Sequence, residues 1–305
     1  MYREHKPVHK QVGVGLNMRS QTALVFRERL VSFTFLLPAL IIFASMIVIP
    51  FFMGAVYAFT DWDGATKGFN YVGFQNFFDV VKEKRIADAT RNTLLFTLYQ
   101  TVSVNVVGLF IAVLIKKATT FNRFLRTVFF MPFMCSIVFA AFIWSKFYSD
   151  VWEGVFSIVN PLSDIGAVIG GIAVIALWRD AGYAMIVYIA ALQAVPESLY
   201  EAGRVDGMNP IQSFFKITLP LIVPAITVNV TLYVGWGLRT FDYVMASTQG
   251  GPGSASDTIA ILVWRYTFAW RQVGMGQAFA LLMMFGVFLI TQTITRVLRS
   301  REVEL

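Results

Sequence analysis

The chain has 305 residues, of which 57% are hydrophobic and only 14% are charged, and its formal net charge is +7. Soluble domains carry about 25% charged and about 45–50% apolar residues, so this composition excludes both an ordinary soluble enzyme and a disordered chain. One cysteine, Cys135, excludes a disulfide framework, and the two histidines, His5 and His9, lie in the polar N-terminal tail. The sequence therefore predicts no catalytic residues and no metal site.

Long stretches without charged residues predict membrane helices, each of which needs about 20 apolar residues. Five such stretches are uninterrupted, and a sixth contains a single charge pair, Arg179-Asp180. We therefore predict an all-α integral membrane protein with six transmembrane helices. The predicted spans are 30–60, 92–115, 127–145, 165–196, 217–238 and 272–295.

The distribution of charge between the spans predicts the orientation. With the N-terminus inside, the inside segments hold 15 Lys and Arg against 7 Asp and Glu, and the outside segments hold 9 against 10. Cytoplasmic loops of membrane proteins are enriched in Lys and Arg. Both termini are thus expected to be cytoplasmic. The net positive charge follows from topology and does not indicate nucleic-acid binding.

Prolines interrupt three of the predicted spans: Pro38 and Pro50 in the first, Pro132 in the third and Pro224 in the fifth. Each removes a backbone hydrogen bond and tends to kink a helix. Either the kinks serve helix packing or they act as hinges for gating.

The outer segment 74–89 has an amphipathic pattern at helical spacing. Charged residues at 82–85 follow its apolar face, so the segment predicts a helix that lies on the membrane surface or packs on the protein. The residues of that face are Phe74, Phe77, Phe78 and Val81.

The inside loop between the fourth and fifth spans has the features of a short, defined helix. Pro196 and Glu197 suit its first turn, where a carboxylate complements the helix dipole. Gly207 suits a left-handed C-terminal cap, and Asn209-Pro210 is expected to stop the helix. The pattern predicts a compact cytoplasmic helix that fits a groove, with one stripe formed by Leu199, Ala202 and Gly203.

The same loop resembles the EAA loop of bacterial ABC-importer permeases. That pattern reads E-A-A, three residues, G, nine residues and I-x-L-P, and here Glu201-Ala202-Gly203 precedes Gly207 and Ile217-Thr218-Leu219-Pro220. Gly203 replaces the second alanine and weakens the helix by about 1 kcal/mol. Other stretches resemble the carbohydrate branch of these permeases (maltose and glycerol-3-phosphate type), so that the resemblance covers about residues 30–297. They are Leu37-Pro38-Ala39, Trp178, Gly182, 192–196, Phe241-Asp242 and 248–252.

The resemblance implies a type I ABC-importer permease fold in a bacterial or archaeal cytoplasmic membrane. It implies cytoplasmic tails at 1–29 and 298–305 that flank a transmembrane permease domain at 30–297. The coupling loop at 196–220 would contact the ATPase through seven residues. These are Glu201, Ala202, Gly203, Asp206, Gly207, Leu219 and Pro220.

The resemblance also implies a division of labour between subunits. The chain would be no enzyme and would bind no cofactor, because two cytoplasmic ATPase subunits use ATP and Mg. In agreement, the sequence contains no G-x-x-x-x-G-K-[ST] phosphate loop. A second permease subunit, expected to be a different chain, and an extracytoplasmic solute-binding protein would complete the importer, whose substrate would be a sugar.

The charge pair Arg179-Asp180 is costly at membrane depth. Its two side chains are therefore expected to face a cavity or to pair with each other. Alternatively, the helix begins near Ala173 and leaves the pair in the outer interface or bridging to the partner subunit. Candidates for the substrate pathway are Trp178, Arg179, Asp180, Tyr183, Asn229, Tyr233, Trp236 and Gln277, although many such polar groups only pack helices. Candidates for an outer loop facing the binding protein, or for a plain re-entrant turn, are Asp242, Gln249, Gly250, Gly251 and Pro252.

Three other functions remain open at this point. An ABC permease could carry a non-sugar solute such as glycerol-3-phosphate, an amino acid or phosphate. A secondary transporter often shows a repeat of broken helices, and the sequence has no convincing internal repeat. A membrane-embedded enzyme needs a nucleophile, a metal cluster or an acid pair within the spans, and none stands out.

Overall fold

The computed structural model describes residues 18–302, with side chains from residue 31 onward. The predicted tail residues 1–17 and the last three residues lie outside the described range. Two compact units divide the chain after Gly54. Within the described range the secondary structure is helical, apart from one isolated antiparallel bridge between Thr60 and Tyr71.

The first unit contains α1 (Met18–Phe43), a π-helical turn (Ala44–Val48) and the beginning of α2 (Ile49–Tyr57). Pro38 lies inside α1 without ending it. Pro50 has no N–H, and its ring crowds the carbonyl one turn earlier, which accounts for the widened π-helical turn before it. From residue 31 to Tyr57 the helical segment has the length and a mean hydropathy of 2.6 that suit a membrane span.

The second unit contains the remaining helices. In chain order they are α3 (Gln75–Lys82), α4 (Lys84–Ile115), α5 (Thr120–Met134), α6 (Ile137–Lys146), α7 (Val168–Ala194), α8 (Glu197–Val205), α9 (Pro210–Ser213), α10 (Leu219–Leu221), α11 (Val223–Gly237), α12 (Asp242–Ser247), α13 (Ile259–Trp264) and α14 (Val273–Arg299). π-Helical turns extend α6, α9 and α13 at Phe147–Glu153, Phe214–Thr218 and Arg265–Ala269.

Four described helical segments are long and apolar enough to cross a membrane, and the count rises to six if each of two bent helix pairs forms one span. The predicted third and fifth spans correspond to these two bent pairs. α5 meets the α6 segment at 97°, and the segment Pro210–Leu221 meets α11 at 65°. Pro132 lies in the last turn of α5 and Pro224 in the first turn of α11, so the predicted kinks occur as full breaks.

The long helix α7 is the centre of the second unit and packs against α4, α5, α6 and α11. Gly182 allows the close approach to α5, because a Cβ atom there would lie only 2.8 Å from Phe130 Cα. α7 begins at Val168, which places Arg179 and Asp180 near its middle. The alternative that the helix begins near Ala173 and leaves the pair at its outer end is therefore wrong.

The predicted amphipathic segment 74–89 forms two helices, α3 and the start of α4, that are interrupted at Glu83. Val80 is fully buried, whereas Phe78 and Val81 of the predicted apolar face are exposed. Glu83 caps α4 and accepts a 2.6 Å hydrogen bond from the Tyr266 hydroxyl, which lowers the pKa of its carboxyl. This contact fastens α3 and α4 to the segment that follows α13.

Candidate functional site

A cavity of about 380 Å³ lies between α4, the α5–α6 break, α7, the end of α11 and α12. Its wall combines aromatic faces with charged and hydrogen-bonding groups, which is the chemistry of a site for a polar organic solute. The principal lining residues are Gln100, Phe133, Arg179, Asp180, Trp236, Arg239, Asp242 and Tyr243.

The carboxylate of Asp180 holds the wall of this cavity together. Asp180 is 1% exposed, and its Oδ1 pairs with Arg179 Nη1 at 2.6 Å. Its Oδ2 accepts hydrogen bonds of 2.9 Å from Gln100 Nε2 of α4 and from the Tyr243 hydroxyl of α12. The hydroxyl of Tyr233 donates to the Asp180 carbonyl at 2.9 Å. Four helices thus meet at one buried, fully paired charge.

The guanidinium of Arg179 extends this network to the α5–α6 break. Its Nε donates a 3.0 Å hydrogen bond to the carbonyl of Cys135, which lies between the two helices and lacks a helical partner. The guanidinium also lies over the Phe133 ring at 4.9 Å. At the other side of the break, Ser136 Oγ accepts from Phe139 N at 3.2 Å and caps α6. Arg179 therefore bridges the bend.

The eight predicted pathway residues are only partly brought together. Arg179, Asp180 and Trp236 line the cavity, and Tyr183 and Tyr233 contact the Trp236 ring with centroid distances of 6.0 and 5.4 Å. The other three lie elsewhere: Trp178 packs on Trp144, Asn229 is buried and donates to the Ala184 carbonyl, and Gln277 lies on α14 outside the cavity lining.

Sequence reasoning missed several cavity residues, notably Gln100, Tyr243 and Arg239. Gln100 lies in a polar stretch of α4 with Thr97, Thr101 and Ser103, and an amide within a predicted span is a usable signal of a buried polar contact. Tyr243 follows the motif residues Phe241-Asp242 directly. Its helix α12 folds back onto α6 and α7, and nothing in the local sequence specifies that return.

The predicted outer-loop residues divide between two places. Asp242 lines the cavity, whereas Gln249 to Pro252 form a closed turn whose peptide bond Gly251-Pro252 is cis. Arg265 Nη2 donates to the Gln249 carbonyl at 3.0 Å and pairs with Asp257 at 2.9 Å. Burial raises the pKa of Asp257, and the guanidinium acts against that shift. The turn is thus tied to the helical segment that follows it.

α8 follows the C-terminal end of α7 and forms the predicted short helix, with Pro196 at the N-cap position. Gly207 adopts the left-handed conformation (φ +75°), and Met208 N donates to the Gly203 carbonyl at 2.8 Å, so the predicted C-terminal cap is present. Asn209 and Pro210 do more than stop α8. Asn209 exchanges hydrogen bonds with Gln212 in a capping box and begins α9.

The exposed face of α8 differs from the predicted stripe. Gly203 is buried and faces its own chain, because a Cβ atom there would lie 3.0 Å from Ile217 Cδ1. The exposed stripe at three-residue spacing is Leu199, Ala202 and Val205, and Val205 is 88% exposed. Glu201 and Arg204 flank it at 3.9 Å from each other, and Asp206 is exposed at its end. Of the remaining predicted coupling residues, Leu219 packs in the apolar cluster of α7 and α11, and Pro220 follows it in α10.

Several contacts hold α8 against the ends of the long helices. The Tyr200 hydroxyl shares a 2.9 Å hydrogen bond with Thr218 Oγ1, and Lys116 Nζ lies 5.4 Å from the Tyr200 ring. Gln193 Nε2 donates to the Lys116 carbonyl at 3.0 Å, which joins the end of α7 to the end of α4. These contacts therefore hold α8, with its exposed apolar stripe, against the rest of the chain.

The helical fold, the polar cavity within apolar helices and the supported surface helix define a membrane transport subunit. Residues 104–303, well over half of the chain, match the family described as the binding-protein-dependent transport system inner membrane component. The chain belongs to this family. It is thus an inner-membrane permease subunit of an importer and not an enzyme.

Individual relatives agree with this membership. The chain is 28% identical to the probable starch degradation products transport system permease protein AmyD of Thermoanaerobacterium thermosulfurigenes, over 94% of this chain and all of AmyD. It is 29% identical to the sn-glycerol-3-phosphate transport system permease protein UgpA of Escherichia coli (strain UTI89), over 92% and 98% of the two chains.

Among solved structures, the fold is similar to a chain of a bacterial ABC transporter involved in the import of the acidic polysaccharide alginate. The TM-score is 0.79 at 22% identity, covering 92% of this chain and 99% of the other. The fold of an ABC-importer permease is therefore shared.

Proposed function

We propose that the chain forms one half of the translocation pathway of an ATP-driven importer for a sugar or oligosaccharide. The observation that carries the proposal is the cavity at Asp180, in which the aromatic rings of Trp236 and Phe133 lie beside paired charged groups. Sugars present apolar ring faces and many hydroxyls, and such a wall offers stacking surfaces together with donors and acceptors. The similarity to AmyD, named for starch degradation products, supports the same substrate class.

The charges of the cavity favour a neutral solute. Arg179 is paired with Asp180 at 2.6 Å, and the second cavity arginine, Arg239, is accompanied by the exposed carboxylate of Asp242. Two guanidinium groups and two carboxylates leave no net charge for an anion. Glycerol-3-phosphate is the second candidate for two reasons. Among the hydrogen bonds of the described residues, the Arg239 side chain donates only through Nε, to the Gly235 carbonyl, which leaves the rest of its guanidinium for a phosphate group. In addition, UgpA is a relative.

We infer six membrane spans with both termini in the cytoplasm, counting each bent helix pair as one span. The basic loop 116–126 then lies on the cytoplasmic side, together with the loop 195–216 that contains α8. The domain organisation proposed is a permease domain at 30–297 between short tails at 1–29 and 298–305, in the cytoplasmic membrane.

α8 is the proposed contact to the ATPase. Its exposed stripe would enter a cleft of a cytoplasmic ATPase subunit, with Glu201 as the polar contact and Gly207 fixing the turn. Two ATPase subunits would bind ATP and Mg, a second permease chain would complete the pathway, and a binding protein would deliver the sugar. The outer turn at 248–253 is the proposed contact to the binding protein.

The mechanism that follows is alternating access driven from outside the subunit. Closure of the ATPase dimer would displace α8, which follows the end of α7 after two extended residues and contacts the π-helical turn before α10. Because Arg179 and Asp180 of α7 hold α5, α6 and α12, movement of α7 would change the shape of the cavity. No covalent chemistry takes place in this chain.

ATP hydrolysis by the reconstituted importer complex tests the proposal. We expect the binding protein loaded with a neutral oligosaccharide to stimulate ATP hydrolysis, and Trp236→Ala to raise the concentration of sugar-loaded binding protein needed for half-maximal stimulation. Trp178→Ala, an equally exposed tryptophan outside the cavity lining, is the matched control. Stimulation by sn-glycerol-3-phosphate alone would favour the second candidate, and an unchanged Trp236→Ala response would remove the cavity from the pathway.

A further inference from the structure

A second, larger cavity lies on the other side of α7 and continues as a groove between α4 and α7. The cavity, of about 800 Å³, has Arg91 and Asn92 at one end and the indole rings of Trp144 and Trp152 in its wall. The groove, of about 610 Å³, shares Tyr99 and Gly170 with the cavity and is otherwise lined almost entirely by aliphatic side chains. We propose that this continuous surface, the α4–α7 groove, binds one anionic phospholipid.

The groove changes in polarity along its length as a lipid does. Neither lining includes an acidic residue, and the only cation is Arg91, whose exposed guanidinium makes no hydrogen bond or ion pair with any described residue. At the other end, the hydroxyl of Ser103 is already bonded to the Tyr99 carbonyl at 2.6 Å, so that end offers no free polar group. A cation above an apolar channel complements a phosphate group above acyl chains.

The dimensions agree with one leaflet. The α4 residues that line the two cavities run from Arg91 to Val107, which at the helical rise corresponds to about 24 Å. Half of a bilayer including its headgroup region measures about 20–22 Å. Trp144 and Trp152 lie near the Arg91 end, and tryptophan is enriched at the depth of the headgroups. The phosphate would therefore bind at Arg91, with the acyl chains along Val102 and Val106.

Gly170 provides a way to block the groove. It lines both cavities, and a Cβ atom at this position would meet no heavy atom within 4 Å, so a side chain added here would begin in the open space of the groove. At Gly286 of α14 an added Cβ atom would likewise meet no heavy atom within 4 Å, and this residue lines neither cavity. Gly286→Leu is therefore a matched control.

The experiment uses the complete importer complex, stripped of lipid in detergent and titrated with phosphatidylglycerol or phosphatidylcholine, with bound lipid counted by native mass spectrometry. We expect Gly170→Leu to weaken binding of both lipids at least tenfold and Gly286→Leu to have no effect. We expect Arg91→Gln to weaken phosphatidylglycerol about fivefold and leave phosphatidylcholine unchanged. Lys84→Gln, which changes an exposed cation at the same end of α4, should change neither. Normal binding by Gly170→Leu, or an equal effect of Arg91→Gln on both lipids, would overturn the proposal.

A photoreactive residue at Val106 distinguishes a lipid from a protein occupant and does not depend on the stability of the Gly170 variant. An adduct with the mass of a phospholipid supports the proposal. A cross-link to the second permease subunit would overturn it, because a helix of the partner would then fill the groove.

Discussion

Asp180 is a single buried carboxylate that joins α4, α7 and α12, and its charge is balanced by Arg179 at 2.6 Å. Removing one partner of a buried ion pair typically costs about 3–5 kcal/mol, because the other charge remains buried and unpaired. We therefore predict that Asp180→Asn destabilises the purified complex by about that amount. The double variant Arg179→Gln/Asp180→Asn should recover part of the loss. Denaturant unfolding of the four members of this cycle measures the coupling, and additive losses would contradict the pairing.

Val205 and Gly203 lie two positions apart on α8 but face opposite directions. Val205 is 88% exposed, whereas Gly203 faces Ile217 and Met208. We predict that Val205→Asp lowers sugar-stimulated ATP hydrolysis at least tenfold without changing the thermal stability of the isolated permease pair. Gly203→Val should lower that stability as well, because the added side chain collides with Ile217. A stable, fully coupled Val205→Asp complex would show that the exposed stripe does not contact the ATPase.

At the level of helices, the α5–α6 break is held by a serine cap on one side and an arginine contact on the other. Replacing a serine N-cap with alanine costs about 1 kcal/mol, whereas asparagine preserves the cap. We predict that Ser136→Ala lowers the free energy of unfolding by about 1 kcal/mol and lowers transport, and that Ser136→Asn restores both. Equal stability of the two variants in the same unfolding assay would show that the Ser136 cap does not stabilise the α5–α6 break.

The same helices show how far the sequence could predict the structure. The positions of the long helices followed from charge-free stretches, and Pro132 and Pro224 marked the two breaks. The angles of 97° and 65° could not be predicted, because they depend on contacts such as Arg179 with Cys135 that join residues 44 positions apart. The cavity was predictable through Arg179, Asp180 and Trp236, whereas Tyr243 enters it only because α12 folds back. In α8 the inward direction of Gly203 depends on Ile217, which lies beyond the local helical pattern.

For the whole molecule, α7 connects the two functional regions. Asp180 lies 14 residues before the end of α7 at Ala194, about 21 Å at the helical rise, and α8 begins three residues later. α7 is unbroken over this distance, so it is placed to transmit a displacement of α8 to the cavity. Under the proposed function, ATP is hydrolysed by the partner subunits, and the cavity and the binding protein select the solute.

ATP-driven uptake into proteoliposomes tests the central claim most directly. The vesicles would contain both permease subunits and the ATPase, with the binding protein outside and labelled maltotriose as substrate. We predict uptake that requires internal ATP and the binding protein, that is inhibited by unlabelled oligosaccharide, and that is insensitive to sn-glycerol-3-phosphate. Uptake that proceeds without ATP or without the binding protein, or that accepts only the phosphate ester, would contradict the assignment of this chain to a sugar importer.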